Sequence, residues 1–196
     1  MPRSERTATE RAPSVARRRV PATAPADLAA GAVRVRAAQP EDAAGIAAIW
    51  NHEALATLTT TDTEPRSVAA QRRWLASHSS GYPVIVADGA ARPGSLAGFA
   101  ALTPYRPKPA FRHTVEDSIY VDRAWRGSGL RRLLLRELLR RAHAQGHRSV
   151  IARITTGNAV SRRLHESFGF RLVGIEREVA FKLGHWLDVA MYQRLL

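Results

Sequence analysis

Three groups of residues have the types and spacing to do chemistry. The run Arg126-Gly127-Ser128-Gly129-Leu130-Arg131, followed by Arg132, lies between a predicted strand and an amphipathic helix. A helix start presents unpaired backbone N–H groups and a partial positive charge, and glycine lets a phosphate come close to the chain. The run therefore suits a pyrophosphate, although two glycines also make an ordinary flexible turn. The second group is Asn158, Ser161 and His165, which spacings of three and four place on one helix face. Histidine titrates near neutrality and can pass a proton; the plainer reading is a helix cap and a partly exposed surface residue. The third is Arg106-Pro107-Lys108 with Arg112 close behind. Arginine grips a carboxylate or phosphinate through two parallel hydrogen bonds, whereas a solvated basic loop is the plainer account, above all for Lys108.

The elements that must position these groups follow from periodicity. Ala32 to Arg36 alternates like a strand. Pro40, Glu41 and Asp42 suit a first helical turn, and Ile46, Ile49 and Trp50 give that helix an apolar stripe. Ser67 caps a second helix running through Trp74. Residues 82–87 and 95–102 read as a hairpin, and 112–121 as a longer strand. Leu130, Leu134 and Leu138, with Leu135, Leu139 and Ala142, mark the clearest helix, which Gly146 ends. A buried strand over 149–154, a capped helix over 158–168 and two strands near 171–181 and 186–194 complete the order. Such an order predicts an α/β (α+β) domain, a mixed sheet with helices on its faces.

Bulk composition narrows the function. The chain has 196 residues, enough for one domain with a tail. Residues 1–32, rich in Ala, Pro, Arg, Ser and Thr, are expected to be a disordered basic tail, and 33–196 the domain. The chain has no cysteine, which excludes disulfides, thiolate metal sites and cysteine nucleophiles and suits a reducing cytoplasm. No apolar run is long enough to span a bilayer. The arginine-rich start lacks the apolar stretch of a secretory or twin-arginine signal, which leaves an organelle transit peptide open. A formal net charge of +13 suggests an anionic partner, but the arginines are scattered rather than striped, so nucleic acid is not the expected one.

Several stretches together carry a resemblance. Besides the glycine loop they are Thr63-Glu64-Pro65, Gly81-Tyr82-Pro83, Arg106-Pro107, Arg112-His113-Thr114-Val115-Glu116, Ile119-Tyr120-Val121, Gly157-Asn158-Ala159, Leu164-His165-Glu166, Phe168-Gly169-Phe170, Phe181-Lys182-Leu183-Gly184 and Trp186-Leu187-Asp188. Across about residues 33–196 the sequence resembles the GNAT acetyltransferases, and more narrowly the phosphinothricin N-acetyltransferase family. The Thr-Val-Glu and Trp-Leu-Asp blocks belong to the narrower resemblance.

The resemblance implies a GNAT fold, a mostly antiparallel splayed sheet, and direct transfer from acetyl-CoA to the amine of an amino-acid-like acceptor such as phosphinothricin, methionine sulfoximine or methionine sulfone. It implies no metal and a homodimer. Arg126 to Arg132 would hold the diphosphate, Asn158 and Ser161 the pantetheine arm, and the backbone of Ile119, Tyr120 and Val121 the thioester. Glu116 would be the general base, His165 the acid for the departing thiolate, and Arg106, Pro107, Lys108 and Arg112 the acceptor pocket. His113, Trp186 and Asp188 would brace the site strand, fill the core or a dimer contact, and bond locally. Three positions depart from the pattern. Arg131 replaces the last small residue of the loop, Thr155 an acidic residue, and Thr61 an aromatic. Two other readings stay open: acetylation of protein N-termini or other amines, and a CoA-binding module that senses without catalysing.

Overall fold

The computed structural model describes residues 33–78, 80–89 and 95–196. The expected tail over 1–32 lies outside them, as does most of the hairpin turn. Seven strands and four helices follow in chain order: β1 (Val33–Ala37), α1 (Ala43–Ala56), α2 (Val68–Ala76), β2 (Val84–Gly89), β3 (Leu96–Pro104), β4 (Thr114–Val121), α3 (Leu130–Ala144), β5 (Ser149–Thr155), α4 (Ala159–Ser167), β6 (Arg171–Lys182) and β7 (His185–Leu195). They form one sheet in the order β1-β2-β3-β4-β5-β7-β6. Every neighbouring pair is antiparallel except β4 with β5.

Each face of the sheet buries its own apolar set, as a two-residue period requires. Ile85, Val115, Val121, Val150, Ala152 and Ile154 meet the leucines of α3. Val84, Val86, Phe99 and Ala101 meet Ile46, Ile49 and Trp50 of α1. The predicted stripe of α3 is buried in full, from Leu130 to Ala142. Losing one of these, as in Leu134→Ala, would cost about 3 kcal/mol through transfer and cavity terms. Ser67 Oγ accepts from the Ala70 amide at 3.1 Å and caps α2, and Asn158 Oδ1 accepts from the Ser161 amide at 3.1 Å and caps α4; such caps are each worth about 1 kcal/mol.

Two boundaries differ from the sequence expectation. Pro40–Asp42 is a 3-10 turn in front of α1 rather than its first turn. Residues Pro109–Phe111 also wind into a 3-10 turn, with Arg112 at its end, so β4 begins only at Thr114.

The parting of β4 and β5 creates the site. Their parallel pairing covers only Thr114 to Glu116 against Ser149 to Ile151. On its other side β4 stays paired with β3 through Val121. From residue 117 onward, the β5 side of β4 is therefore open, and its free peptide groups line a cleft through the sheet.

Candidate active site

The cleft encloses about 410 Å³ and is lined from both faces. β4 contributes Glu116 to Val121, β5 contributes Ala152 to Thr155, and α4 contributes Asn158, Ser161, Leu164 and His165. Trp50, Glu53 and the segment Thr59 to Asp62 close it from the α1 side, and Arg131 reaches in from the first turn of α3.

Alternation along β4 sorts the chemistry by face. Val115, Ile119 and Val121 belong to the α3 side, so Asp117 shares that face. Tyr120 packs on the α1 side, so Glu116 and Ser118 share that one. Tyr120 stacks on Phe99 at 5.0 Å and meets the edge of Trp50 at 5.2 Å. Arg66 lies 3.7 Å over the same Trp50 ring. Burial pushes the Glu116 carboxyl above the usual carboxylate range; the positive charge of Arg153 pulls against it.

On the opposite face, His165 is 4% exposed, which removes the reading of a surface histidine. Its Nδ1 lies 2.8 Å from the Ser161 carbonyl and its Nε2 lies 3.1 Å from Asp117 Oδ2. A carbonyl and a carboxylate only accept, so the pair of contacts suits a ring carrying both protons. Burial alone would lower the His165 pKa; Asp117 and the Ser161 carbonyl outweigh it and leave the pKa raised. Asp117 Oδ1 is buried with no partner among the described residues.

The α3 entrance fits a diphosphate in its backbone. Gly129 stands at the cap with φ of 85°, and a side chain there would meet nothing within 4 Å. The first bonds of α3 run from the amides of Arg132 and Leu133 to the Gly129 carbonyl. The amides of Gly129, Leu130 and Arg131 thus precede the helical bonding pattern and face the entrance. The orphaned Asp117 Oδ1, the open edge of β4 and the polar side chains of Asn158 and Ser161 likewise match an extended amide-bearing arm better than an apolar filling.

The side chains of the loop do other work. Arg126 is ion-paired with Glu53. Ser128 Oγ donates to the Trp125 carbonyl at 2.7 Å, and Arg132 Nη1 donates to Ser167 Oγ at 3.0 Å. Leu130 is core. Only Arg131 sends its side chain to the cleft, and burial together with Arg126 lowers its pKa.

Ile119, Tyr120, Val121, Arg131, Asn158, Ser161, Glu116 and His165 therefore meet around one cleft. Arg106, Pro107, Lys108 and Arg112 are all exposed and stand outside its lining. Arg106 lies 5.0 Å over the Tyr105 ring, and its charge still reaches Glu116. Trp186 is 63% exposed, so it is not a core residue. Asp188 Oδ1 accepts from the Glu178 amide at 2.8 Å, and His113 Nδ1 contacts the Gly146 carbonyl at 3.2 Å.

Sequence reasoning passed over Asp117, Glu53, Lys182 and Arg153. Glu53 is buried and accepts from Thr57 at 2.9 Å and Thr59 at 2.6 Å, which fixes the loop after α1. Lys182 Nζ donates to the carbonyls of Glu53 at 3.1 Å and Thr60 at 2.9 Å. Two of them had a signal: Glu53 sits three residues after Trp50 on the apolar stripe of α1, and Arg153 interrupts the apolar run of β5.

The residues that build the splayed β4–β5 pair and the glycine-started helix fall within the match to a family model. The Acetyltransferase (GNAT) family model covers residues 46–170. The chain belongs to the GNAT acetyltransferase family. It is 39% identical over 160 residues to the L-methionine sulfoximine/L-methionine sulfone acetyltransferase of Pseudomonas aeruginosa, covering 81% of this chain and 92% of that protein. It is 37% identical over 167 residues to the phosphinothricin N-acetyltransferase of Streptomyces coelicolor, covering 84% of this chain and 96% of the other. Among solved structures, a GNAT superfamily phosphinothricin acetyltransferase from Sinorhizobium meliloti in complex with acetyl-CoA superposes with a TM-score of 0.79. That match has 36% identity and covers 84% of this chain and 89% of the other. The GNAT protein described here is an acetyl-CoA-dependent N-acetyltransferase. Among the described residues no helix is long and apolar enough to cross a membrane.

Proposed function

We propose that this GNAT enzyme acetylates the amine of a small α-amino acid analogue of the methionine sulfone, methionine sulfoximine or phosphinothricin type, by direct transfer in a ternary complex. The observation that carries the reading is the cleft itself. It opens at Glu116 and is lined by that carboxylate on one face and by the Asp117–His165 pair on the other. The names of the relatives above supply the acceptor class.

Acetyl-CoA supplies the acetyl group as an activated thioester. The amides at the start of α3 take its diphosphate, and Arg131 adds a cation there. Asn158 and Ser161 flank the pantetheine arm, and the free peptide edge at Ile119 to Val121 orients the thioester and polarises its carbonyl. Glu116 accepts the proton that the amine loses as its nitrogen bonds to the acetyl carbon. His165 lies beside the departing sulfur, and its Nε2–H, shared with Asp117, is the proton available to the thiolate.

Magnitudes set the weight of each group. An α-amine with a pKa of about 8 is roughly a tenth neutral at pH 7, so deprotonation gains about tenfold. A thiolate with a pKa of about 8.5 leaves without much help. Most of the acceleration therefore comes from aligning amine and thioester. A panel of amines assayed by thiol release tests the proposal. Turnover is expected on methionine sulfone, methionine sulfoximine or phosphinothricin, and preference for a peptide N-terminus would overturn it.

We also propose a cytoplasmic homodimer. β6 is an edge strand whose Leu172, Val173, Ile175, Val179 and Phe181 are all exposed, with Trp186 beside them on β7. A long apolar edge of this kind pairs with another surface rather than facing water.

A further inference from the structure

Two arginines line the cleft. Arg131 enters at the cofactor end. Arg153 enters from the middle of β5, where buried Ala152 and Ile154 flank it. The parallel register sets Glu116 opposite Ile151. Side chains alternate along a strand, so Arg153, two residues beyond Ile151, shares the face of Glu116. It stands just past the point where β4 and β5 part.

The guanidinium of Arg153 is paired through Nη2 with Glu176 of β6. Its other nitrogens have no protein partner among the described residues. A half-exposed ion pair of this kind contributes at most about 1 kcal/mol, a weak reason to set a charge in an apolar strand. Glu116 and Glu176 both lie within electrostatic reach of each other and of Arg153. On the acceptor side of the sheet, one cation thus stands between a reactive carboxylate and an exchangeable one.

Resting on the reading of Glu116 as the residue that meets the amine, we propose that Arg153 binds a carboxylate carried on the carbon next to that amine, exchanging Glu176 for it. A zwitterionic acceptor then lies with its ammonium towards Glu116 and its carboxylate towards Arg153. This role moves the carboxylate grip from the exposed loop at Arg106 and Arg112 to the wall of the cleft. Glu176 becomes a counter-ion that keeps the guanidinium in place until the acceptor arrives.

The test compares methionine sulfone with its decarboxylated analogue, 3-(methylsulfonyl)propan-1-amine, at saturating acetyl-CoA. Wild-type enzyme should favour the amino acid about a hundredfold or more in kcat/KM, the range that one charged, two-point hydrogen-bonded contact supplies. Arg153→Met should lose about a hundredfold on the amino acid, chiefly in KM, and change less than about threefold on the amine lacking a carboxylate. Arg153→Lys should keep part of the preference, and Glu176→Gln should leave KM for the amino acid equal or lower. Because Arg153 opposes the burial of Glu116, the acid limb of kcat/KM should move to higher pH in Arg153→Met. Calorimetric titration of the same two compounds into the CoA-loaded protein reads the discrimination without turnover. Equal losses on both amines, or a wild type blind to the carboxylate, would overturn the assignment. Turnover of neither compound despite a retained binding preference would instead sink the proposed activity and leave Arg153 standing.

Discussion

Glu116 and Asp117 are consecutive on β4, and their side chains enter the cleft from opposite faces of the sheet. Glu116 stands with Tyr120 on the α1 side, and Asp117 bonds His165 of α4 at 3.1 Å. The two carboxylates therefore serve different partners. In the proposed reaction one faces the incoming amine, and the other holds His165, its pKa raised, on the side of the leaving group. The parting of β4 and β5 just after residue 116 opens one cleft that both of them line.

Replacing Glu116 separates activity from stability. Glu116→Gln should lower kcat/KM by one to three orders of magnitude, less than loss of a covalent nucleophile would, because deprotonation supplies only about tenfold at pH 7. The same variant should melt at a higher temperature at pH 7. The pKa of Glu116 is raised in the folded state, so the folded protein holds that proton more tightly than the unfolded chain does. Ionisation then costs stability as pH rises through the unfolded and folded pKa values, and an uncharged amide avoids the cost. Thermal melts at pH 4 and pH 8 check the sign: the gain should be present at pH 8 and vanish at pH 4.

Asp117→Asn should lower the pKa of His165, since the carboxylate is what overcomes burial. NMR titration of the ring nitrogens reads the shift directly. The folded-state pKa of His165 is raised, so its pairing stabilises the protein fully below the ordinary histidine pKa. That contribution is lost as pH rises through the raised folded value. The stability difference between wild type and Asp117→Asn should accordingly be largest near pH 5 and shrink above neutrality. Turnover should fall by only about tenfold, because the CoA thiolate leaves readily.

What the sequence disclosed and what it hid divide along a physical line. Leucines at a period near four placed α3 correctly, because a buried helix face leaves that period and little else does. Asn158 and His165 were legible because a helix face is a local property. Glu116 came with its Thr-Val-Glu block. The partner of His165 was not legible, since Asp117 meets it across 48 residues of chain and only the fold joins them. The same holds for Arg126, which reads as a phosphate cation until folding brings Glu53 of α1 against it. The loop at Arg106 was assigned to the acceptor by resemblance and by the two-point grip that arginine offers, and it stands outside the cleft lining.

The apolar edge of β6 supports a prediction on assembly. Val179→Lys places a charge on an exposed edge position 48% open to solvent. Such a charge is a standard way for sheets to block edge pairing. The wild-type enzyme should sediment as a dimer and the variant as a monomer, while the melting temperature of the variant at low concentration stays close to that of wild type. A wild type that sediments as a monomer across the micromolar range removes the dimer.

Arg131 is expected to have opposing effects on acetyl-CoA, and two substitutions separate them. Its side chain lines the cleft, and its bulk at the cofactor end is expected to weaken binding. Its charge is disfavoured by burial and by Arg126, so a phosphate of the bound cofactor should relieve it and strengthen binding. Arg131→Met keeps much of the bulk and removes the charge; acetyl-CoA affinity should fall about threefold to tenfold at low salt. That loss should fade as salt rises, because the Debye length shrinks from about 10 Å at 0.1 M to about 3 Å at 1 M. Arg131→Gly removes both and should bind more tightly than Arg131→Met at every salt concentration and more tightly than wild type at 1 M. Isothermal titration with acetyl-CoA across that range provides the measurement. An Arg131→Gly enzyme no tighter than wild type at high salt would mean that the side chain never obstructs the cofactor, and that its charge alone accounts for its place at the start of α3.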